Sequence, residues 1–261
     1  MPSLDETKLI HQELLVLLDI FDNFCREKEV KYSLHGGTLL GAVREKGFIP
    51  WDDDADITLM RSDYKKLKLY IKEIESYDDV TFEEGIAQRP MIWMRRKDKP
   101  AVWLDIFIYD YISEIWLFQR LKLLGLVFFL GITKTRETLK VSQKGVYKGW
   151  KYAVIYSLYL FGKLFKMKTK IRMENWFASN FFLGSKKLIQ RTNDQYKGLF
   201  LWIPKETMEE FIDVMFENRQ YMISKEYMTI LTSCYGVDFM TPKHSTEQEK
   251  NAHNMYRLAN K

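Results

Sequence analysis

The chain has 261 residues, 46% of them apolar and 29% charged, enough to bury the core of one large domain or two small ones and too apolar for a disordered chain. Two cysteines, Cys25 and Cys234, exclude a disulfide-stapled fold and are expected to be free, buried thiols. The start MPSLDETKLIHQ is acidic and polar where a secretory leader needs a basic start and an apolar core, and the apolar runs 123–132 and 152–162 fall short of the roughly 18 residues that span a bilayer, so a cytoplasmic protein is expected.

The net charge of +5 conceals an asymmetry. Residues 119–172 hold thirteen lysines and arginines against one acid, Glu137, a surplus of twelve, which leaves the rest of the chain at −7. A basic middle sits inside an acidic protein.

In chain order, Leu9, Leu14, Leu17, Leu18, Phe21, Phe24 and Cys25 recur at three- and four-residue steps and predict a helix over 5–29. A short strand follows over 30–34, leading to a turn at His35-Gly36-Gly37-Thr38 and a helical turn or two over 39–45, which Gly47 and Pro50 end. Residues 54–60 alternate, with Asp54, Asp56 and Thr58 on one face and Ala55, Ile57 and Leu59 on the other, as a half-buried strand does. Ser62 has the chemistry of an N-cap for a helix to about residue 75. Short strands with a turn at Glu84-Gly85 are expected over 80–97, then the β-prone run AVWLDIFIY over 101–109. From 115 to 172 the pattern is helical, basic and aromatic; beyond it, helices are expected over 205–216 and 224–233. The whole predicts an α/β (α+β) fold, with a catalytic core from 1–114 and 174–261 and a helical insertion over 115–173.

The chemistry concentrates at Asp52, Asp53, Asp54 and Asp56. Alternate residues of a strand share a face, so Asp54 and Asp56 present two carboxylates to one point, where at about 4–5 Å they repel by several kcal/mol. A cation between them removes that cost, and hard oxygen ligands favour Mg²⁺ or Mn²⁺. Asp105, alone in an apolar strand, is the candidate third ligand, the alternative being a hydrogen-bonded strand-end aspartate. Gly36 and Gly37 precede a helical segment, where backbone N–H groups can approach a phosphate, although a Gly-Gly pair by itself is a plain turn.

A Gly-Gly turn, an Asp-x-Asp strand and a later acidic strand together resemble the nucleotidyltransferase superfamily. The run GGTLLGAVREKGFIPWDDDADI is closer still to the signature of the LicD family, the phosphocholine transferases and their fukutin-related relatives. WLDIFIYD resembles that family's later Asp-Ile-Phe strand, with Ile-Tyr-Asp110 in place of Pro-Leu-Asp. FENRQYMISKEYMTILTSCYGVDFMTP resembles its closing Phe-Glu-Gly and Tyr-Gly-Asp segment, with Asn218 for the glycine and Val237 inserted before Asp238.

The resemblance implies a nucleotidyltransferase-type mixed sheet flanked by helices. It implies transfer of a phospho-substituent from a CDP-activated donor, commonly CDP-choline, to a sugar hydroxyl of a cell-surface glycan precursor (teichoic acid, lipopolysaccharide or capsule), with CMP released. Phosphoryl transfer needs positioning and charge neutralisation, which Asp54, Asp56 and Asp105 with a metal, and Gly36, Gly37 and Thr38 on phosphate oxygens, are able to supply. Arg44 is read either as a diphosphate ligand or as a salt-bridge partner of the aspartates, and Asp52 or Asp53 as the proton acceptor. Choline calls for an aromatic cage, with Trp51, Trp93, Trp103, Tyr109 and Tyr235 as candidates, each alternatively core packing. Another CDP-alcohol or a sugar phosphate as donor, a DxD glycosyltransferase and a catalytically dead membrane adaptor remain the rival readings.

The basic, aromatic stretch 115–173 fits a helix in the headgroup region of an anionic membrane, or else two apolar helices packed on the core with solvated lysines. The first reading suits a lipid-linked glycan acceptor and a peripheral position on the inner face of the cell membrane. No nucleic-acid-reading motif accompanies the charge, so no nucleic-acid partner is expected.

Overall fold

The computed structural model describes residues 4–77, 79–84, 91–143 and 149–242. The fold is mixed α/β, with helices flanking a sheet. The elements are α1 (Leu4–Glu27), β1 (Ser33–Leu34), α2 (Gly36–Arg44), β2 (Ala55–Met60), α3 (Arg61–Tyr77), β3 (Val80–Glu84), β4 (Ile92–Arg96) and β5 (Trp103–Ile112). They continue as α4 (Trp116–Ile132), α5 (Arg136–Gln143), α6 (Trp150–Gly162), α7 (Met167–Asn180), β6 (Leu188–Arg191), β7 (Trp202–Pro204), β8 (Phe211–Phe216), β9 (Arg219–Ser224) and α8 (Tyr227–Tyr235). Seven strands pair in the order β1-β2-β5-β4-β3, with β6 antiparallel to the distal half of β5 and β7 on β6; β8 and β9 form a separate antiparallel hairpin.

The chain divides into two compact units. The first gathers Met1–Phe82, Met94–Ile106 and Thr207–Lys261; the second gathers Glu83–Trp93 and Phe107–Glu206.

In the first unit, α1 buries Leu14, Leu17, Leu18, Phe21, Phe24 and Cys25, as the periodicity requires, while Leu9 of the same stripe is exposed. Burial pushes the Cys25 thiol well above its usual pKa, so it stays an inert, protonated core group. Cys234 is only partly buried.

α1 is tied to the β8–β9 hairpin by a charged network around the buried Asp22. Asp22 accepts from the Arg26 Nε–H at 2.8 Å, from the Tyr32 hydroxyl at 2.7 Å and from Arg219 at 3.1 Å, and Arg26 also donates to Asp213 on β8. Burial, and then the adjacent Asp22 charge, push the Tyr32 hydroxyl well above its ordinary pKa, which keeps it a donor.

In the second unit, α4 through α7 follow one another between β5 and β6. Two lysines of this basic stretch turn inward. Lys122 is buried and donates to Tyr111 O and to Ala178 O in the last turn of α7, and buried Lys170 donates to Ile132 O, the final residue of α4, at 2.9 Å. Each ammonium satisfies carbonyls that a helix end leaves open, at the pole where the helix dipole favours a cation. Desolvation lowers the Lys170 pKa.

Several sequence expectations are corrected. The Gly36-Gly37-Thr38 turn is the first turn of α2, which begins three residues before the expected helix. Ser62 lies inside α3 and hydrogen-bonds Asp63; Asp63 in turn accepts from the Lys31 N–H at 2.9 Å. The helix expected over 205–216 is a 3-10 turn, Lys205–Met208, followed by strand β8, because FIDVMF pairs along its whole length with β9. The turn expected at Glu84-Gly85 extends outside the described residues.

Replacing Asp22 by alanine leaves the Tyr32 hydroxyl without its carboxylate acceptor and removes one buried partner each from Arg26, which keeps Asp213, and Arg219, which keeps Asp19 and Asn23. Urea unfolding is expected to show a loss of about 3 kcal/mol, the low end for a broken buried ion pair because Arg26 and Arg219 keep part of their hydration, against about 1 kcal/mol for Tyr32→Phe.

Candidate active site

The site is built within the first unit, where β2 and β5 are neighbours in the sheet. Asp56 is the second residue of β2, Asp105 the third of β5, and Asp54 immediately precedes β2. One carboxylate oxygen from each of Asp54, Asp56 and Asp105 lies within 4.8 Å of the others. A second triad, Asp52, Asp53 and Asp54, meets the same limit, so Asp54 is common to both. Asp53 is buried and the other four are partly exposed. Trp103, two residues before Asp105 on the same strand face, donates its indole N–H to Asp105 Oδ2 at 3.3 Å.

The N-terminus of α2 closes on these carboxylates. A side chain at Gly36, which sits at φ +54°, would strike Asp56 Oδ2, and one at Gly37 would strike Asp52 Oδ2. The glycines therefore let a helix N-terminus, with its outward N–H groups and positive dipole end, come into contact distance of two acids. Thr38 is buried, and its Oγ1 accepts from the Asp56 N–H at 2.8 Å; the His35 N–H donates to Asp56 O at 2.9 Å. These bonds fix β2 to α2 in a register that holds Asp56 over the glycines.

The loop from α2 to β2, which carries Trp51 through Asp54, is held from two further elements. His11 on α1 donates from Nε2 to Asp52 O at 2.7 Å, and its ring stacks on Phe48 at 4.3 Å. Phe48 packs edge-on against Phe216 of β8. Glu217, in the β8–β9 turn, accepts from the Phe48 N–H at 3.0 Å and donates its own N–H to Lys46 O at 2.7 Å. A side chain at Gly47 would strike that Glu217 carboxylate, and one at Gly41 would strike Gly47 O. Sequence reasoning passed over His11, because a helix-face histidine carries no local sign that it will meet a loop some forty residues away. Glu217 was visible only within the Phe-Glu segment of the family resemblance.

The remaining sequence candidates are placed as follows. Arg44 is largely buried and pairs through Nε with the adjacent Glu45 at 2.7 Å, while Nη1 reaches Phe239 O at 3.4 Å. Trp51 is 48% exposed beside the aspartates in sequence, and Tyr235 at the end of α8 is 40% exposed. Trp93, Trp103 and Tyr109 are buried core residues.

An all-oxygen donor set of converging carboxylates, without sulfur or imidazole, fits a hard divalent cation. Residues 29–120 match the family model LicD/FKTN/FKRP, nucleotidyltransferase domain, a span that contains α2, β2, β5 and all five aspartates. The LicD protein of Haemophilus influenzae named as a lipopolysaccharide cholinephosphotransferase is 29% identical over 272 residues, covering 94% of this chain and 96% of that protein. Uncharacterized proteins of Rickettsia prowazekii and Rickettsia typhi are similar over shorter stretches, at 45% identity over 49 residues and 54% over 37.

Gly36→Ala tests the close approach of α2 to the aspartates. The left-handed φ and the collision with Asp56 together are expected to cost about 1–2 kcal/mol in urea unfolding and to weaken Mn²⁺ binding in a titration. Gly149→Ala, also at positive φ but with open space at its Cβ, is expected to cost stability without changing Mn²⁺ affinity.

Proposed function

We propose that this chain is a metal-dependent transferase that moves phosphocholine from CDP-choline to a sugar hydroxyl of a cell-surface glycan and releases CMP. The convergence of Asp54, Asp56 and Asp105 against the N-terminus of α2 carries this reading. The Haemophilus influenzae relative named as a lipopolysaccharide cholinephosphotransferase, similar along nearly the whole chain, supports the phosphocholine class of donor and a lipopolysaccharide-type acceptor.

Asp54, Asp56 and Asp105 would hold the divalent cation, Mg²⁺ or Mn²⁺, whose charge would neutralise the diphosphate and steady the departing CMP. The backbone N–H groups at Gly36 and Gly37 face phosphate oxygens from the α2 N-terminus, and Thr38 keeps its hydroxyl proton available for donation while its oxygen holds Asp56. Arg44, braced by Glu45, orients the diphosphate. Asp53 or Asp52 accepts the proton of the acceptor hydroxyl. The acceptor oxygen then forms the new P–O bond as the bond from phosphorus to the CMP oxygen breaks. Half-exposed Trp51 and Tyr235 offer π faces to the trimethylammonium group. The acceptor is a lipid-linked precursor met at the cytoplasmic face of the membrane, with residues 115–173 outside the chemistry.

CMP release from labelled CDP-choline, with Mg²⁺ and a glycan acceptor, tests the reading. Asp54→Ala, Asp56→Ala and Asp105→Asn are each expected to lower the rate about a hundred- to a thousandfold, with KM for the donor changing less than kcat. Full activity in these variants would refute the metal site, and release from CDP-ribitol or CDP-glycerol in preference to CDP-choline would refute the donor.

A further inference from the structure

α6, WKYAVIYSLYLFG, contains one charged residue in thirteen, a composition that belongs in a core. Yet among its residues only Tyr159 and Gly162 are buried. Trp150, Val154 and Phe161 fall on one face at steps of four and seven residues and are 72%, 49% and 46% exposed; Leu160 beside them is 45% exposed and Leu164, just past the helix, 74%. The helix is held on α4 through Leu158 and Gly162. Gly162 packs so closely on the end of α4 that an added Cβ would meet Ile132 O, and a Cβ on Gly131 of α4 would meet the Leu158 side chain. α6 is thus firmly seated with its apolar stripe outward.

The sequence on and next to α6 carries one sign of charge. Lys151, Lys163, Lys166 and Lys168 are exposed on and around α6, and Glu137 is the one acid between residues 119 and 172. We propose that this face of the second unit is an interfacial membrane-docking surface, with α6 lying in the headgroup plane of an anionic bilayer, its apolar stripe inserted and the lysines on lipid phosphates.

Three occupants compete for such a face, and charge separates them. A second copy of this chain would bring the same lysine-rimmed stripe against itself, so that like charges would oppose burial. A nucleic acid would satisfy the lysines and leave an aliphatic stripe in water. An anionic bilayer satisfies both features at once. At thirteen residues α6 is about 20 Å long, short of the roughly 30 Å hydrocarbon core, and no helix among the described residues is long and apolar enough to cross a membrane, so the contact is peripheral. The inference deepens the proposed function, in which a bilayer-borne acceptor gives the docking its use, but it stands on α6 and not on the aspartates.

Co-sedimentation of the full chain with vesicles tests it. Binding to phosphatidylglycerol–phosphatidylcholine vesicles is expected to be at least tenfold tighter than to phosphatidylcholine alone and to weaken between 0.1 and 0.5 M salt. The double variant Val154→Asp/Leu164→Asp, at exposed positions, is expected to lose at least tenfold in affinity with its circular dichroism and melting unchanged. Lys151→Glu/Lys163→Glu is expected to bind less and to lose much of the salt dependence. CMP release with a soluble, delipidated acceptor is expected to be unchanged in both variants, so a failure of docking and a failure of the transferase reading show up in different assays. Absence of wild-type binding to anionic vesicles, undiminished binding by a folded Val154→Asp/Leu164→Asp protein, or a wild-type dimer that this variant converts to monomers would each overturn the proposal.

Discussion

The organising constraint of the first unit is electrostatic. Five carboxylates, Asp52, Asp53, Asp54, Asp56 and Asp105, are gathered so that two overlapping triads each fit within 4.8 Å. Such a group is costly unless positive potential is brought to it, and the fold does so with a helix end. α2 starts at Gly36, and Gly36 and Gly37 lack the Cβ atoms that would otherwise collide with Asp56 and Asp52. The approach of a helix N-terminus to acids stabilises both, because unpaired N–H groups and the positive end of the dipole meet negative charge. The rest of the unit serves this arrangement. β2 is fastened to α2 through Thr38 and His35, and the aspartate loop is fastened to α1 through His11 and to the β8–β9 turn through Glu217.

Much of this was legible in the sequence because its determinants are local. Period-two alternation placed Asp56 on a half-buried strand, and an isolated acid in WLDIFIY marked Asp105 as out of place in a core. The convergence of Asp105 with Asp54 and Asp56 follows once β5 is known to lie beside β2, and pairing order is not written in any single strand. The glycines were harder. A Gly-Gly pair reads as a turn by propensity, whereas here one residue at positive φ opens a helix whose first turn is wanted for its N–H groups. The segment over 211–216 was misjudged for a different reason: a six-residue apolar run fits a helix and a strand equally well, and the hairpin partner decides it. β6 and β7, four and three residues long, are too short to show a period. Trp93, Trp103 and Tyr109 illustrate the general weakness of single aromatics as evidence, for all three went to the core.

The second unit shows how misleading a charge count alone can be. Of the lysines that make the middle of the chain basic, Lys122 and Lys170 are buried and cap the ends of neighbouring helices, which is structural work done inside the fold. Lys151, Lys163, Lys166 and Lys168 are exposed on and next to α6, a helix whose apolar residues the fold leaves largely uncovered. Composition gave the surplus; only the placement of each side chain separates charges that hold the fold from charges that face outward.

The claim on which the proposed function rests is that the aspartate cluster is a cation site. Mn²⁺ binding to the purified full chain, followed by the loss of the free-ion electron paramagnetic resonance signal, measures this without reference to any substrate. Wild type is expected to bind Mn²⁺ and Mg²⁺ to displace it, while Asp54→Ala, the substitution that removes the carboxylate shared by both triads, is expected to weaken binding at least tenfold with the fold intact by circular dichroism. Equal Mn²⁺ affinity in wild type and folded Asp54→Ala would contradict the account.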